Sequence, residues 1–155
     1  MRRRMAKIGY SAQGLDDDET ARAIGRELPI SPKMAVEVCR QLRGKRGDVA
    51  KAYLERVIAL DQPVPMHRYK TMVAHKRGTG PGRYPVKVAE HVLKVLESAE
   101  ENAGHKWLDV ESLRVKVIAA HKGSIQKGMM QRAHGRSSPW NQETVNLEIV
   151  LEKVE

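Results

Sequence analysis

The chain has 155 residues, with 28 Lys and Arg against 19 Asp and Glu and a net charge of +9. A hydrophobic fraction of 41% is enough for a packed core, and a single cysteine excludes an internal disulfide and a cysteine-based zinc cluster. With 4% aromatic residues and no Phe the chain is a poor candidate for stacking bases on an aromatic sheet; no apolar run approaches the roughly 20 residues that cross a bilayer, no apolar signal core follows Met1-Arg2-Arg3-Arg4, and a cytoplasmic location is expected.

The first element in chain order is a strand near Lys7 to Ala12, expected because the two strands read further on are marginal alone. Ser31-Pro32 then marks a helix start, with Ser31 at the N-cap and Pro32 at the first helical position, where a missing N–H costs nothing. Ala35, Val38, Cys39 and Leu42 recur at helical spacing, and Gly44 ends the run. The outer face of this helix is expected to carry Lys33, Glu37 and Arg40, with Arg43, Lys45 and Arg46 at and beyond its end. Asp48 is read as the N-cap of a second helix with the apolar face Ala50, Tyr53, Leu54, Val57 and Ile58, stopped before Gln62-Pro63-Val64-Pro65.

Residues 66 to 84 lack periodicity, contain four Gly or Pro between 78 and 82, and read as an irregular basic loop. Gly78 to Arg83 fits neither the dinucleotide fingerprint nor the Walker pattern, although Arg83 near a helix start can reach an RNA phosphate. A third helix follows Pro85, with the stripe Ala89, Val92, Leu93, Leu96, Ala99 and Ala103 and a cap at Gly104. From Leu113 the period changes to two, placing Leu113, Val115, Val117 and Ala119 on one face and Arg114, Lys116 and Ile118 on the other. The final segment alternates in the same way, Val145, Leu147, Ile149 and Leu151 against Thr144, Asn146, Glu148 and Val150. Paired antiparallel, these strands are joined by a connection from about His121 to Asn141, far longer than the usual two to five residues of a hairpin loop.

The charge is sorted along the chain. Residues 1–15, 62–89 and 112–142 contain no carboxylate and hold sixteen of the 28 basic residues. Such surfaces repel themselves unless a polyanion neutralises them, and the common polyanion is a nucleic-acid backbone. Six histidines, His67, His75, His91, His105, His121 and His134, show no metal-ligand spacing, so neither a metal nor a cofactor is expected. Cys39 falls on a buried stripe and reads as a small core hydrophobe. As a catalytic segment, residues 121–141 lack an acidic partner to orient His121 or His134, whereas an arm threaded among phosphates needs none. His134 and Trp140 fit either RNA contact or packing at the hairpin base.

Ser31-Pro32-Lys33 through Arg43-Gly44-Lys45, Leu54 to Ile58, Gly82 to Lys87, and above all Ala119-Ala120-His121-Lys122-Gly123 with Arg132-Ala133-His134-Gly135-Arg136 and Pro139-Trp140-Asn141, resemble the large-subunit ribosomal protein family numbered twenty-two, in its archaeal and eukaryotic branch. The resemblance runs from about residue 10 to residue 152. It implies an α+β fold, three helices on a small three-stranded antiparallel sheet with a long protruding β-hairpin. It also implies a single domain, globular over about 1–118 and 143–155, with an arm over about 119–142.

The function so implied is that of a structural constituent of the large subunit, without enzymatic activity. It binds the ribosomal RNA, assists its assembly, neighbours other large-subunit proteins, and lines the nascent-peptide exit tunnel with its hairpin. Carried over by position, Lys122, Lys127, Arg132 and Arg136 lie on the arm, and its tunnel end comprises Gly128, Met129, Met130, Gln131, Arg132 and Ala133. Lys33, Arg43, Lys45 and Arg46 meet RNA from the globular side. Arg40, Arg77, Arg83, His121, His134 and Trp140 complete the expected RNA contacts. The alternatives are a regulatory or chromatin DNA binder reading bases with Arg40, Arg43 and Arg46, and an RNA-processing enzyme using His121 and His134.

Overall fold

The computed structural model describes residues 9–153. Its elements are β1 (Thr20–Leu28), α1 (Pro32–Leu42), α2 (Gly47–Ile58), β2 (Val64–Pro65), β3 (His75–Lys76), β4 (Gly80–Arg83), α3 (Val86–His105), a 3-10 turn at Val110–Ser112, β5 (Leu113–Gln126), β6 (Met129–Gln131), β7 (Ser137–Pro139) and β8 (Gln142–Lys153). The main sheet is antiparallel in the order β1-β8-β5, so the last strand lies in the middle. The α+β reading with three helices on a three-stranded sheet holds.

The third strand is not near Lys7 to Ala12. Lys7 and Ile8 lie outside the described residues, Gly9 to Ala12 form no strand, and the sheet is completed by Thr20–Leu28 instead. Small inward residues, Ala21, Ala23 and Gly25, let α3 lie close to this strand. A Cβ on Gly25 would stand 2.8 Å from the Val95 side chain.

Ser31 occupies the N-cap position of α1 with extended backbone, but its hydroxyl makes no cap bond. Its carbonyl accepts the first helical bond, from Ala35 N–H at 2.9 Å. Helix α2 begins one residue before the expected cap. Arg46 takes the N-cap position, and Asp48 sits in the first turn, where its carboxylate favours the helix N-terminus. Helix α3 ends at His105 with Lys106 as C-cap, just past Gly104. Lys51 of α2 and the buried Glu100 of α3 form an ion pair between the helices. The core joins the apolar stripes of all three helices to the inner faces of β1, β5 and β8.

Two local readings change. Residues 66–84 are not wholly irregular: they contain β3 and β4, which with β2 just before them form a second small antiparallel sheet in the order β2-β4-β3. On β5 the alternation breaks at a bulge, where Val115 pairs with Leu151 but Val117 with Val150. The extra residue turns Ile118 into the core and leaves Val117 and Ala119 partly exposed.

Candidate nucleic-acid interface

The long connection is itself ladder. β5 and β8 pair as far as Gln126 with Gln142, and β6 and β7 continue the hairpin to a turn at Ala133–Gly135. Arg132 N–H donates to the Arg136 carbonyl at 2.8 Å to close the turn, while His134 and Gly135 take positive φ of 58° and 68°. Histidine is among the residues that tolerate this region, and glycine adopts it freely. The turn therefore lies at the far end of the expected tip: Gly128 falls between strand segments, and Met129, Met130 and Gln131 form β6 below it.

Two glycines set the arm's width. Gly123 packs on Thr144, whose hydroxyl donates to the Ser124 carbonyl at 2.8 Å. Gly128 accepts from Trp140 N–H at 2.7 Å, and a Cβ there would stand 2.7 Å from the Trp140 carbonyl oxygen. Arg132 is pinned across the tip by a 2.8 Å bond from Nε to Ser138 Oγ, and the residue stays exposed. Trp140 is 53% exposed and Met129 68% exposed, so neither belongs to a core. His134 stands in the turn and cannot pack at the hairpin base.

A stretch without acid in sequence is not always without acid in space. Glu152 of β8 meets Arg114 at 3.2 Å and also pairs with Lys116, and Glu143 lies 3.5 Å from Lys122. Compensation ends at the arm's midpoint. From Gln126 to Gln142 the hairpin holds Lys127, Arg132 and Arg136, all exposed, and no carboxylate.

The absence of an acidic partner for His121 is also corrected. Glu148, almost fully buried on β8, lies 3.7 Å from His121 Nε2. It accepts from Ser11 N–H at 2.9 Å, Ser11 Oγ at 2.7 Å and Ala12 N–H at 3.1 Å, tying the segment before β1 to the central strand. His121 and His134, however, are separated by roughly 40 Å of extended strand at about 3.3 Å per residue, so they cannot share a reaction centre.

On the globular side, Glu37 is not on the outer face of α1. It is fully buried and accepts from the N–H groups of Arg68 and Tyr69 at 2.7 and 3.1 Å, anchoring the second sheet's loop. Lys33 and Arg68 both approach the Tyr69 ring, at 5.7 and 5.8 Å. Lys45 lies 4.2 Å from the Tyr53 ring; burial, then the charge of Arg56, lowers its pKa. Arg43 donates to the Ile118 carbonyl at 3.4 Å and Arg46 to the Glu111 carbonyl at 2.9 Å, so two of the three supposed base readers are engaged with their own chain. Arg77 is exposed in the turn between β3 and β4, and Arg83 is exposed at the end of β4. Burial pushes the Cys39 thiol up to about 12, keeping it protonated and inert. Among the described residues no group of His, Cys, Asp or Glu is placed to hold a metal ion, and no helix is long and apolar enough to cross a membrane.

Burial alone would raise the carboxyls of Glu37 and Glu148. Hydrogen bonds, from Arg68, Tyr69 and His67 N–H for the first and from Ser11 and Ala12 for the second, outweigh it and hold both below the ordinary 4.5. A carboxyl with a lower pKa folded than unfolded stabilises the fold above its unfolded value, and that gain is lost as the pH falls through the folded value. The melting temperature of the free protein should therefore fall away as the pH drops below about 4.5, and Glu148→Gln should flatten that acid limb in a thermal melt series.

The family model described as Ribosomal protein L22p/L17e matches residues 23–152. The large ribosomal subunit protein uL22 of Methanococcus vannielii is 45% identical over 152 residues, covering 96% of this chain and 99% of its own length. That of Methanopyrus kandleri is 48% identical over 143 residues, 90% of each chain. That of Methanococcoides burtonii is 44% identical over 151 residues, 97% of this chain and 99% of its own. The match takes in the three helices and the whole arm at nearly full length, and the chain belongs to the ribosomal protein L22p/L17e family in its archaeal form.

Proposed function

We propose that this protein is a structural constituent of the large ribosomal subunit, acting as one domain whose arm, about residues 119–142, runs among RNA segments and along the wall of the nascent-peptide exit tunnel. It works in the cytoplasm, within the ribosome. Its partners are the large-subunit RNA, neighbouring large-subunit proteins and, at the arm's end, the nascent chain. It carries out no reaction of its own.

The observation that supports this most is the distal arm. Gln126 to Gln142 extends beyond the core as a narrow hairpin with exposed cations and no carboxylate. A two-stranded hairpin is marginal in water by itself, and an arm of this charge gains order when phosphates surround it. The RNA contacts assigned to it are Lys127, Arg132, His134 and Arg136, with Trp140 on its flank. His121 and Lys122 stand at its root, and Lys33, Arg40, Arg43, Lys45 and Arg46 extend the surface onto the helices.

The test is a sucrose gradient of cell lysate at high salt, followed by immunoblot. Co-sedimentation with the large subunit that survives the salt wash is the expected result. Release into the soluble pool would mean loose phosphate binding and would defeat the reading. Deleting residues 126–134 should weaken that association, whereas a helix-based DNA binder would keep its affinity.

A further inference from the structure

Between α1 and β5, at the root of the arm, lies a groove of about 480 Å³, floored by Val36, Cys39, Ile118 and Ala120 and rimmed by Arg40 and Arg43. We propose that this groove holds one unstacked nucleotide of the ribosomal RNA, its base against the aliphatic floor and its phosphate on the two arginines. The inference rests on the ribosomal reading and names a site within it.

The groove exists because β5 turns small where it passes the helix. Two residues beyond the buried Ile118, on the same face of the strand, comes Ala120, whose methyl leaves the space that a larger side chain would fill against α1. Its volume lies within the range of small-molecule sites, roughly 300–1,000 Å³. An apolar floor is wasted on a bare phosphate backbone, which needs only cations, but it suits the face of a base withdrawn from its stack. No carboxylate is among the residues that line the groove.

The rim is matched to an anion. Arg43, the C-cap of α1, is steadied by the Ile118 carbonyl, while Arg40 is exposed in the last turn of the helix, three residues before it. A guanidinium can stack on a base edge-on to its neighbours and donate two parallel bonds to a phosphate, which an ammonium cannot do. β5 is the edge strand of the main sheet, and the Gly44–Lys45 turn pairs with its outer ladder near Val115, below the groove. Further along, the strand edge offers main-chain donors and acceptors to the edge of a base. A protein strand added there would have to pass Arg114, Lys116 and Lys122 on the same strand, a pattern that discourages strand pairing.

The experiment uses large subunits reconstituted from archaeal ribosomal RNA and proteins, with this chain supplied as wild type, Arg40→Gln or Ala120→Leu. Reactivity of every RNA nucleotide is read by 2′-hydroxyl acylation and base methylation. One nucleotide protected by the wild-type chain should regain, with either variant, the reactivity it has in particles lacking the chain, while the rest of the footprint stays. Arg40→Gln changes only an exposed side chain, so it carries the test alone should Ala120→Leu fail to fold. Footprints of Arg40→Gln that superimpose on wild type, or that loosen a whole duplex flank in place of one position, would overturn the proposal. A wild-type chain that never enters the particle would overturn the ribosomal reading itself, and this inference with it.

Discussion

Leu96→Ala should destabilise the free protein by about 2–5 kcal/mol, because deleting a buried isobutyl group loses its transfer free energy and leaves a cavity that closes only partly. Leu96 is 1% exposed and sits in the middle of the α3 stripe, within the core that α3 shares with β1 and β8. For a domain of this size the loss corresponds to a fall in melting temperature of roughly 4–20 °C. Differential scanning calorimetry reads it directly, and a shift under 2 °C, at the low end of about 2–4 °C per kcal/mol, would mean that the helix does not carry the core.

Arg132→Glu should behave in the opposite way. Arg132 is exposed at the end of the arm, and its one side-chain bond, to Ser138, is on the surface. Surface substitutions of this kind change stability by about 0.5 kcal/mol or less, so the melting curve should barely move. If Arg132 meets a phosphate as proposed, then in competition with wild type for incorporation into large subunits the variant should lose a charge-assisted contact of about 1.5–3 kcal/mol, roughly tenfold to a hundredfold, before any repulsion from phosphates is added. Gly128→Val gives the geometric counterpart, because its side chain would collide with the Trp140 carbonyl oxygen and splay the arm without touching a cation. Equal incorporation of Arg132→Glu and wild type would remove the distal arm from the RNA interface.

What could be read in the sequence was local. The Ser31-Pro32 start, the stripes of α1 and α3 and the overlong hairpin connection each announce themselves within a dozen residues. β1 escaped because its buried face is Ala21, Ala23 and Gly25, residues with weak strand propensity that are chosen for the closeness of α3. Glu37 and Glu148 looked like surface charges because nothing nearby in sequence shows that the 67–69 loop and Ser11-Ala12 will bring them N–H donors from 31 and 137 residues away. The same long-range pairing hid Glu152 from Arg114 and Lys116. The neutralised root of the arm could be told from its bare distal half only after β8 was laid beside β5.

The place of β8 at the centre of the main sheet has a consequence for biosynthesis. β1 is made early, but its hydrogen-bonding partner is the last described strand to be translated, with Thr20 waiting for Glu152. Until then the helices have no finished surface to cover, and the cationic hairpin is half made. Such a chain can complete its core only after translation has passed residue 150, and slow, non-local closure of this kind is exposed to aggregation. Ribosome-bound chains stalled before residue 142 should therefore be protease-sensitive over all the residues that have left the ribosome, because β1 and β5 still lack the strand they pair with.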